Sequence, residues 1–158
     1  TGPATLVPGA IIDHVAPRYI DFVARDFPDL KIVISHGGYP WVNEAITVAE
    51  RNRNVYIDLS EYEFSPLAEA YVQAANTMIG DKILYASAHP FVDFKDALAT
   101  YEKLDFKPEV RRKIMHDNAA KLLGISASPG ATGAAQSPAK VEDLVGDIVR
   151  EVLNRLGR

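Results

Sequence analysis

Polar side chains that could carry out chemistry follow three short apolar runs of the sequence. His36 follows the first run, Asp58 and Ser60 close the second, and His89 follows the third. Imidazole, carboxylate and hydroxyl groups at such positions can move protons or bind metal ions. A structural role competes with this interpretation in each case. His36 could only satisfy a strand end, His89 could pack as a ring before a proline, and Asp58 with Ser60 could hold loop amides. We expect a functional role at His36 and a structural one at Asp58 and Ser60.

The residues after the first run could form a substrate pocket. Gly37 and Gly38 lack side chains, so a substrate could approach the backbone closely there. Tyr39 and Trp41 are predicted to lie at the start of the following helix. They could wall a pocket for a flat organic acid, or they could simply pack. His89 could line the same pocket from the third run.

The spacing of apolar residues predicts three strands that alternate with helices. The strands are predicted over residues 31–36, 54–60 and 82–86, and the helices over residues 17–28, 40–51, 65–79, 93–104 and 108–123. The first strand is apolar on both faces, which predicts a fully buried position. Strand and helix alternation is typical of βα units around a parallel sheet, whose functional residues lie after the carboxyl ends of the strands. His116, on the last helix, is interpreted as structural, and His14 as a loop residue.

Composition and charge exclude several classes of function. The chain has 158 residues, of which 47% are hydrophobic, which is typical of one globular domain rather than a disordered chain. Its net charge of −4 argues against nucleic-acid binding, and the absence of cysteine excludes disulfides and thiolate metal sites. No apolar run approaches the ~18 residues that a membrane span needs. We therefore expect a cytoplasmic protein.

Four segments together resemble a known enzyme family. Residues 27–38 read FPDLKIVISHGG, residues 54–60 read NVYIDLS, residues 82–91 read KILYASAHPF, and residues 116–120 read HDNAA. Their order and spacing are similar to the carboxyl-terminal half of an amidohydrolase-related barrel. That branch includes metal-dependent decarboxylases and hydrolases such as aminocarboxymuconate semialdehyde decarboxylase. The resemblance covers residues 1–125 and implies an α/β fold, a partial (β/α)8 TIM-type barrel containing its sixth to eighth strands.

The resemblance also implies that the other strands of the barrel lie upstream. A metal-binding histidine on the fifth strand would immediately precede Thr1, where no initiator methionine stands. We therefore expect a part of a longer or split barrel, complemented by its upstream half or by self-association, because three parallel strands leave two edges open. In the intact barrel the cofactor would be a divalent metal, zinc or manganese, and His36 would polarise the substrate or position a metal-bound water. This chain alone is expected to bind no metal.

The segment after the third strand departs from the family pattern. Family members read Gly-Ser-Asp-aromatic-Pro there, and the aspartate is a metal ligand and proton acceptor, whereas Ala88 occupies its place in this chain. A methyl group can neither coordinate a cation nor take a proton. Three alternatives stay open: catalysis is impaired, the position was altered deliberately, or His89 substitutes from the next position.

The composition changes abruptly after Ile125. Residues 126–139 contain only Ser, Ala, Pro, Gly, Thr and Gln, which predicts a disordered linker. Residues 140–158 carry one apolar stripe at three- and four-residue steps, which predicts an amphipathic helix. This segment resembles the encapsulation peptides of bacterial microcompartments. The resemblance implies docking onto a shell or cargo protein through a helix-in-groove contact, and a location inside such a compartment.

Two functions from different classes follow. The first is part of a metal-dependent amidohydrolase-like enzyme for hydrolysis or non-oxidative decarboxylation of a small organic acid or amide, compromised by Ala88 and by the missing half. The alternative is a non-catalytic scaffold or cargo protein that docks through residues 140–158. The retained His36 with its two glycines favours the enzyme, and Ala88 favours the scaffold.

Overall fold

The computed structural model describes residues 8–61 and 68–125, in which strands alternate with helices. A 3-10 helix over Ile12–Val15 comes first. The following elements are α1 (Arg18–Asp26), β1 (Ile32–Ile34), α2 (Val42–Arg51), β2 (Val55–Asp58), α3 (Glu69–Ala74), β3 (Ile83–Leu84), α4 (Phe94–Lys103), α5 (Pro108–Arg112) and α6 (Asn118–Leu123). The predicted linker over 126–139 and the predicted helix over 140–158 lie outside the described residues. Among the helices that the structure describes, none is both long enough and apolar enough to cross a membrane.

The three strands form one parallel sheet with β2 in the middle. The paired residues are Ile32 with Val55, Val33 with Tyr56 and Ile34 with Ile57 on one side of β2, and Ile57 with Ile83 and Asp58 with Leu84 on the other. Parallel neighbours require crossover connections, and helices occupy the segments between the strands. The predicted α/β fold with a parallel sheet is confirmed, and the carboxyl ends of all three strands lie at one edge.

One face of the sheet packs against the helices and forms the core. The strand residues in this core are Ile34, Val55, Ile57 and Ile83, all completely buried. Alternation along the strands turns Val33 and Tyr56 to the opposite face, where Val33 is 39% exposed. The prediction that the first strand is buried on both faces is therefore wrong at Val33. Its cause is that β1 is an edge strand, and no described element covers this face of it.

The second helix begins later than the sequence predicts. Its predicted start is residue 40, whereas α2 begins at Val42. Tyr39 is extended (ψ 138°) and Trp41 has a non-helical backbone (φ −88°, ψ 58°). Tyr39 and Trp41 therefore lie in the turn before the helix, and the prediction that they begin it is wrong.

The third and last predicted helices each contain a π-helical turn, over Ala75–Ile79 and Lys113–Asp117. The carbonyl of Ile114, in the second of these turns, accepts a hydrogen bond from the N–H of Tyr85 at 3.0 Å. Tyr85 therefore bonds to a helix where the sequence predicts continued strand, and β3 ends at Leu84.

Two buried asparagines fix the chain where it enters the sheet. Asn54 and Asn118 are 2% and 4% exposed, and each side-chain amide donates to backbone carbonyls. The acceptors are Ala24, Phe27 and Leu30 for Asn54, and Gly80 and Ile83 for Asn118. Because these carbonyls are satisfied by a buried donor, the turns before β1 and β3 have one fixed path.

Candidate active site

Three non-glycine residues with a left-handed backbone follow the three strands. His36 (φ 53°) follows β1, Glu61 (φ 58°) follows β2 and Ala88 (φ 58°) follows β3. This conformation costs an L-residue roughly 1–2 kcal/mol, and it tends to occur at functional sites where surrounding contacts enforce it. The carboxyl ends of parallel strands are also where α/β enzymes place their reacting groups. This edge of the sheet is therefore the candidate active site.

The carboxylate of Asp58 joins the turns that follow β1 and β2. Its Oδ1 accepts hydrogen bonds from the backbone N–H of His36 at 3.1 Å, the backbone N–H of Ser60 at 3.1 Å and the hydroxyl of Ser60 at 2.5 Å. Two of these donors are loop amides, so the structural role expected for Asp58 is confirmed. Ser60 is buried, which shields the cluster from water on that side.

The imidazole of His36 is held at one of its two nitrogens. Its Nδ1 lies 2.8 Å from the Ser60 hydroxyl oxygen and 3.2 Å from Oε2 of Glu61. The His36 and Glu61 side chains are 25% and 13% exposed, so the contact is largely shielded from solvent. Within residues 8–61 and 68–125, no hydrogen bond or ion pair engages Nε2 of His36. The sequence analysis missed Glu61, although its position directly after the polar pair at the end of β2 was an available signal.

Gly37 and Gly38 are required by packing. Their φ values are +65° and +71°, and an added Cβ would lie 2.5 Å from Oη of Tyr71 at Gly37 and 2.9 Å from Cγ of Pro17 at Gly38. The Tyr71 hydroxyl also donates a hydrogen bond to the carbonyl of Gly37 at 2.6 Å. The turn that carries His36 is therefore fastened to α3. Close approach of a substrate to these glycines stays a prediction.

Tyr39 and Trp41 line a cleft beside the turn. The cleft has a volume of about 450 Å³, and its lining residues are Tyr39, Pro40, Trp41, Val42, Asn43, Glu44 and Ala70. His36 is not among them. The structure thus brings the two aromatic residues together in one cleft without joining that cleft to the imidazole, and their predicted role as pocket walls stays a prediction.

Ala88 and His89 form the third corner of the site. Ala88 is half-buried and His89 is exposed, and the described polar contact of His89 runs from its backbone N–H to Oγ of Ser87 at 3.2 Å. No hydrogen bond or ion pair among the described residues joins His89 to His36. The described residues also include no group of three or more His, Asp and Glu side chains placed to hold a metal ion.

The remaining two histidines, His14 and His116, have no hydrogen bond or ion pair to His36, Ser60 or Glu61 among the described residues. His116 lies in the π-helical turn before α6, where its Nδ1 is 2.9 Å from Oδ1 of Asp117. This pairing agrees with its structural interpretation. His14 is exposed and belongs to the 3-10 helix over Ile12–Val15, so its predicted place in a loop is wrong.

Comparison with known proteins assigns the family. The family model described as Amidohydrolase matches residues 3–125, a range that includes His36, Asp58 and Ala88. The chain belongs to the amidohydrolase family. No curated protein matches this amidohydrolase-family chain.

Solved structures agree on the fold. An uncharacterized TIM-barrel protein from Bordetella bronchiseptica is 39% identical, covers 74% of this chain and 42% of its own, and has a TM-score of 0.69. A Pseudomonas putida protein, provisionally assigned as a 2-pyrone-4,6-dicarboxylic acid hydrolase, is 23% identical, covers 72% and 50%, and has a TM-score of 0.56. A dihydroxybenzoic acid decarboxylase from Polaromonas sp. JS666, with bound manganese and 2-nitroresorcinol, is 19% identical, covers 77% and 42%, and has a TM-score of 0.53.

These matches show that the sheet and helices correspond to part of a TIM barrel. The chain spans half or less of the length of each of these relatives. One relative holds manganese, but the described residues here do not by themselves fit a divalent metal. Ala88 contributes no donor atom, and His36 alone is one ligand where a site needs three or more.

Proposed function

We propose that this chain supplies the carboxyl-terminal strands of a metal-dependent amidohydrolase-type barrel, which hydrolyses or non-oxidatively decarboxylates a small organic acid or amide. The observation that carries the proposal is the position of His36 at the carboxyl edge of a parallel sheet in a chain of this family. The similar structures support both chemistries, since one is named a decarboxylase and another is provisionally named a hydrolase.

His36 suits either reaction. Decarboxylation of an aromatic acid breaks the bond between ring carbon and carboxylate, releases carbon dioxide and leaves a ring carbon that takes up a proton. Hydrolysis of an ester or amide needs a group that removes a proton from the attacking water and then returns one to the leaving group. Imidazole performs both tasks because it ionises near neutral pH. The nitrogen available for them is Nε2, because Nδ1 faces Ser60 and Glu61.

A metal site in this barrel would need groups beyond the described residues. Ala88 stands where the family pattern has a carboxylate, and the same resemblance assigns the other ligands to strands other than the three described here. Zinc or manganese would supply Lewis-acid chemistry when bound in the complete barrel. An aspartate at position 88 restores the one ligand of the pattern that this chain can supply.

The exposed apolar surface of α1, of β1 and of the segment between them supports a contact with the remaining strands of the barrel. Its side chains are 39–60% exposed and are Tyr19, Phe22, Val23, Phe27, Leu30 and Val33. β1 is an edge strand of the described sheet, so its outer side is open to pairing with a further strand. The Bordetella protein is more than twice as long as its matched part, so its barrel continues beyond these strands. We assign the surface to the remaining barrel strands rather than to a second copy of this chain.

The assignment is tested by the mass of the full chain in solution. The full chain is mixed with the part of the Bordetella protein that it does not cover, and the mixture is compared with one that contains the Phe22→Asp variant. We expect a one-to-one complex that Phe22→Asp weakens by at least about tenfold, because it places a charge in an apolar contact. The matched control is Met78→Asp, since Met78 is as exposed as Phe22 (52% against 54%) but lies after α3. Two results would overturn the assignment. One is a homo-oligomer that Phe22→Asp dissociates, and the other is a cooperatively melting monomer that does not bind the partner.

The activity is tested with the same complex carrying Ala88→Asp. It is loaded with zinc or manganese and offered 2,6-dihydroxybenzoate and 2-pyrone-4,6-dicarboxylate as probes. We expect turnover of a probe, a loss of at least about 100-fold in His36→Asn, and little change in the control His116→Asn. No turnover of either probe, or equal turnover in His36→Asn, would count against the proposed function.

The scaffold role is the second candidate, and the apolar stripe over residues 140–158 together with Ala88 favours it. The full chain with an amino-terminal fluorescent tag is expressed in a host that produces microcompartment shells. Docking predicts fluorescence at the shells, which Ile148→Asp removes because it places a charge within the stripe, and which Glu151→Gln on the polar side leaves in place. Diffuse fluorescence of the unaltered chain would remove this candidate.

A further inference from the structure

We infer that Ser60 and Glu61 hold His36 in the tautomer that carries the proton on Nδ1, which leaves Nε2 as the proton acceptor of the site. Ser60 and Glu61 are thereby positioning residues for His36. The use of His36 in catalysis rests on the proposed function, whereas its tautomer does not depend on that function.

Counting donors at the cluster decides the tautomer. The Ser60 hydroxyl has one hydrogen, and its 2.5 Å contact with Oδ1 of Asp58 takes that hydrogen, because an ionised carboxylate only accepts. The Ser60 oxygen can then only accept at its 2.8 Å contact with Nδ1 of His36. The hydrogen in that contact must therefore come from the imidazole.

Glu61 imposes the same tautomer independently. Its Oε2 lies 3.2 Å from Nδ1, and an ionised carboxylate oxygen also accepts only. With the hydrogen on Nε2 instead, the lone pair of Nδ1 would face the Glu61 carboxylate. Ser60 would then donate either to His36 or to Asp58, and the other short contact would join two lone pairs. Both neighbours of Nδ1 thus disfavour the Nε2–H tautomer.

The backbone is arranged to produce this contact. Glu61 has the left-handed conformation (φ 58°), which is unusual for a glutamate, and it places the carboxylate beside an imidazole whose own residue is left-handed. Asp58 ties the N–H of His36 to the turn that carries Ser60. The ring, its hydroxyl partner and its carboxylate partner are therefore fixed by two strand ends bonded to one aspartate.

The experiment is long-range ¹H–¹⁵N correlation spectroscopy of the full chain labelled at histidine, recorded at increasing alkaline pH until the patterns no longer change, so that the neutral rings are compared. The chain has four histidines, and His36→Asn assigns the signal of interest. The exposed His14 supplies a reference for an unrestrained ring. We expect His36 to show the Nδ1–H pattern, with an unprotonated Nε2.

Variants test the positioning residues. Ser60→Ala is expected to lower the ratio of Nδ1–H to Nε2–H forms about tenfold, the usual effect of one lost hydrogen bond. Glu61→Ala is expected to lower that ratio in the same direction. The matched control is Ser87→Ala, which removes a hydroxyl at the neighbouring strand end that bonds to His89 rather than His36.

An Nε2–H pattern in the unaltered chain would overturn the inference, and so would an unchanged ratio in both Ser60→Ala and Glu61→Ala. If Ser60→Ala fails to fold, the unaltered chain and Glu61→Ala still decide. An Nδ1–H pattern together with a complemented barrel that turns over no probe would leave the tautomer intact and refute only the proposed function.

Discussion

Replacing Gly37 with alanine would test how tightly the turn that carries His36 is packed. The left-handed backbone (φ +65°) costs the new side chain roughly 1 kcal/mol after the gain from a stiffer unfolded chain. The new Cβ would also lie 2.5 Å from Oη and 2.7 Å from Cζ of Tyr71. Tyr71 is only 1% exposed, so its ring cannot move aside without disturbing the core, which adds about 2–3 kcal/mol. We expect Gly37→Ala to destabilise the chain by about 3–4 kcal/mol.

Two further variants separate these contributions. Gly124→Ala is the matched control, because Gly124 has almost the same φ (+67°) and no atom of the described residues lies within 4 Å of its added Cβ. It should cost only about 1 kcal/mol. Tyr71→Phe removes the 2.6 Å hydrogen bond to the Gly37 carbonyl and should cost about 1–2 kcal/mol. Combined with Gly37→Ala, it should relieve little of the clash, because the remaining ring carbon is still 2.7 Å from the Cβ.

The assay is urea unfolding of the full chain followed by fluorescence of Trp41, its single tryptophan. Thermal melting gives a second reading, in which 1 kcal/mol corresponds to about 2–4 °C for a chain of this size. The midpoint of Gly37→Ala should therefore fall by about 6–16 °C. Equal losses in Gly37→Ala and Gly124→Ala would refute the contact with Tyr71, and the cost would then be conformational alone.

Three further sets of substitutions test the hydrogen bonding, backbone conformation and burial of single residues. Asn54→Ala leaves three backbone carbonyls without their buried donor and should cost about 2–4 kcal/mol in urea unfolding. The control Asn43→Ala, at an exposed position, should cost under about 0.5 kcal/mol. Similar losses in the two variants would contradict the role of Asn54. Ala88→Gly relieves a left-handed alanine and should raise stability by about 0.5–1 kcal/mol, while Ala99→Gly within α4 should lower it by about 1. Burial lowers the pKa of Lys82 from its ordinary value of 10.5. Between the folded-state and unfolded-state pKa values of Lys82, unfolding takes up a proton, so the stability contributed by Lys82 rises with pH in that range. Lys82→Met should flatten this rise. An unchanged slope of stability against pH would refute the effect of burial on Lys82.

The sequence was sufficient to predict the α/β class with a parallel sheet. β-branched runs alternate with amphipathic segments, and that pattern follows directly from burial on one or both faces of each element. The polar residues after those runs could be expected at one edge of the sheet because parallel strands end together, and that edge is the candidate site. Asp58 was also predicted correctly, since an acid at a strand end has loop amides within reach.

Other features depend on three-dimensional contacts that a linear pattern does not contain. Glu61 reaches Nδ1 of His36 through an unusual backbone conformation and a contact across two strand ends. Gly37 is explained by Tyr71, which lies 34 residues away in the chain, and Gly38 by close contacts such as that with Pro17. Val33 is exposed because β1 is an edge strand of the described sheet, and an apolar sequence cannot report which neighbours cover it.

The central claim is that this chain contributes one part of a composite amidohydrolase-type site, and its most direct test is metal content. Elemental mass spectrometry after exhaustive dialysis would be applied to the full chain complexed with the part of the Bordetella protein that it does not cover. Two complexes would be compared, one with the unaltered chain and one with the Ala88→Asp variant. The account predicts more zinc or manganese per complex in Ala88→Asp, approaching one ion, because the new carboxylate supplies a missing ligand. Equal metal content in the two complexes would contradict it.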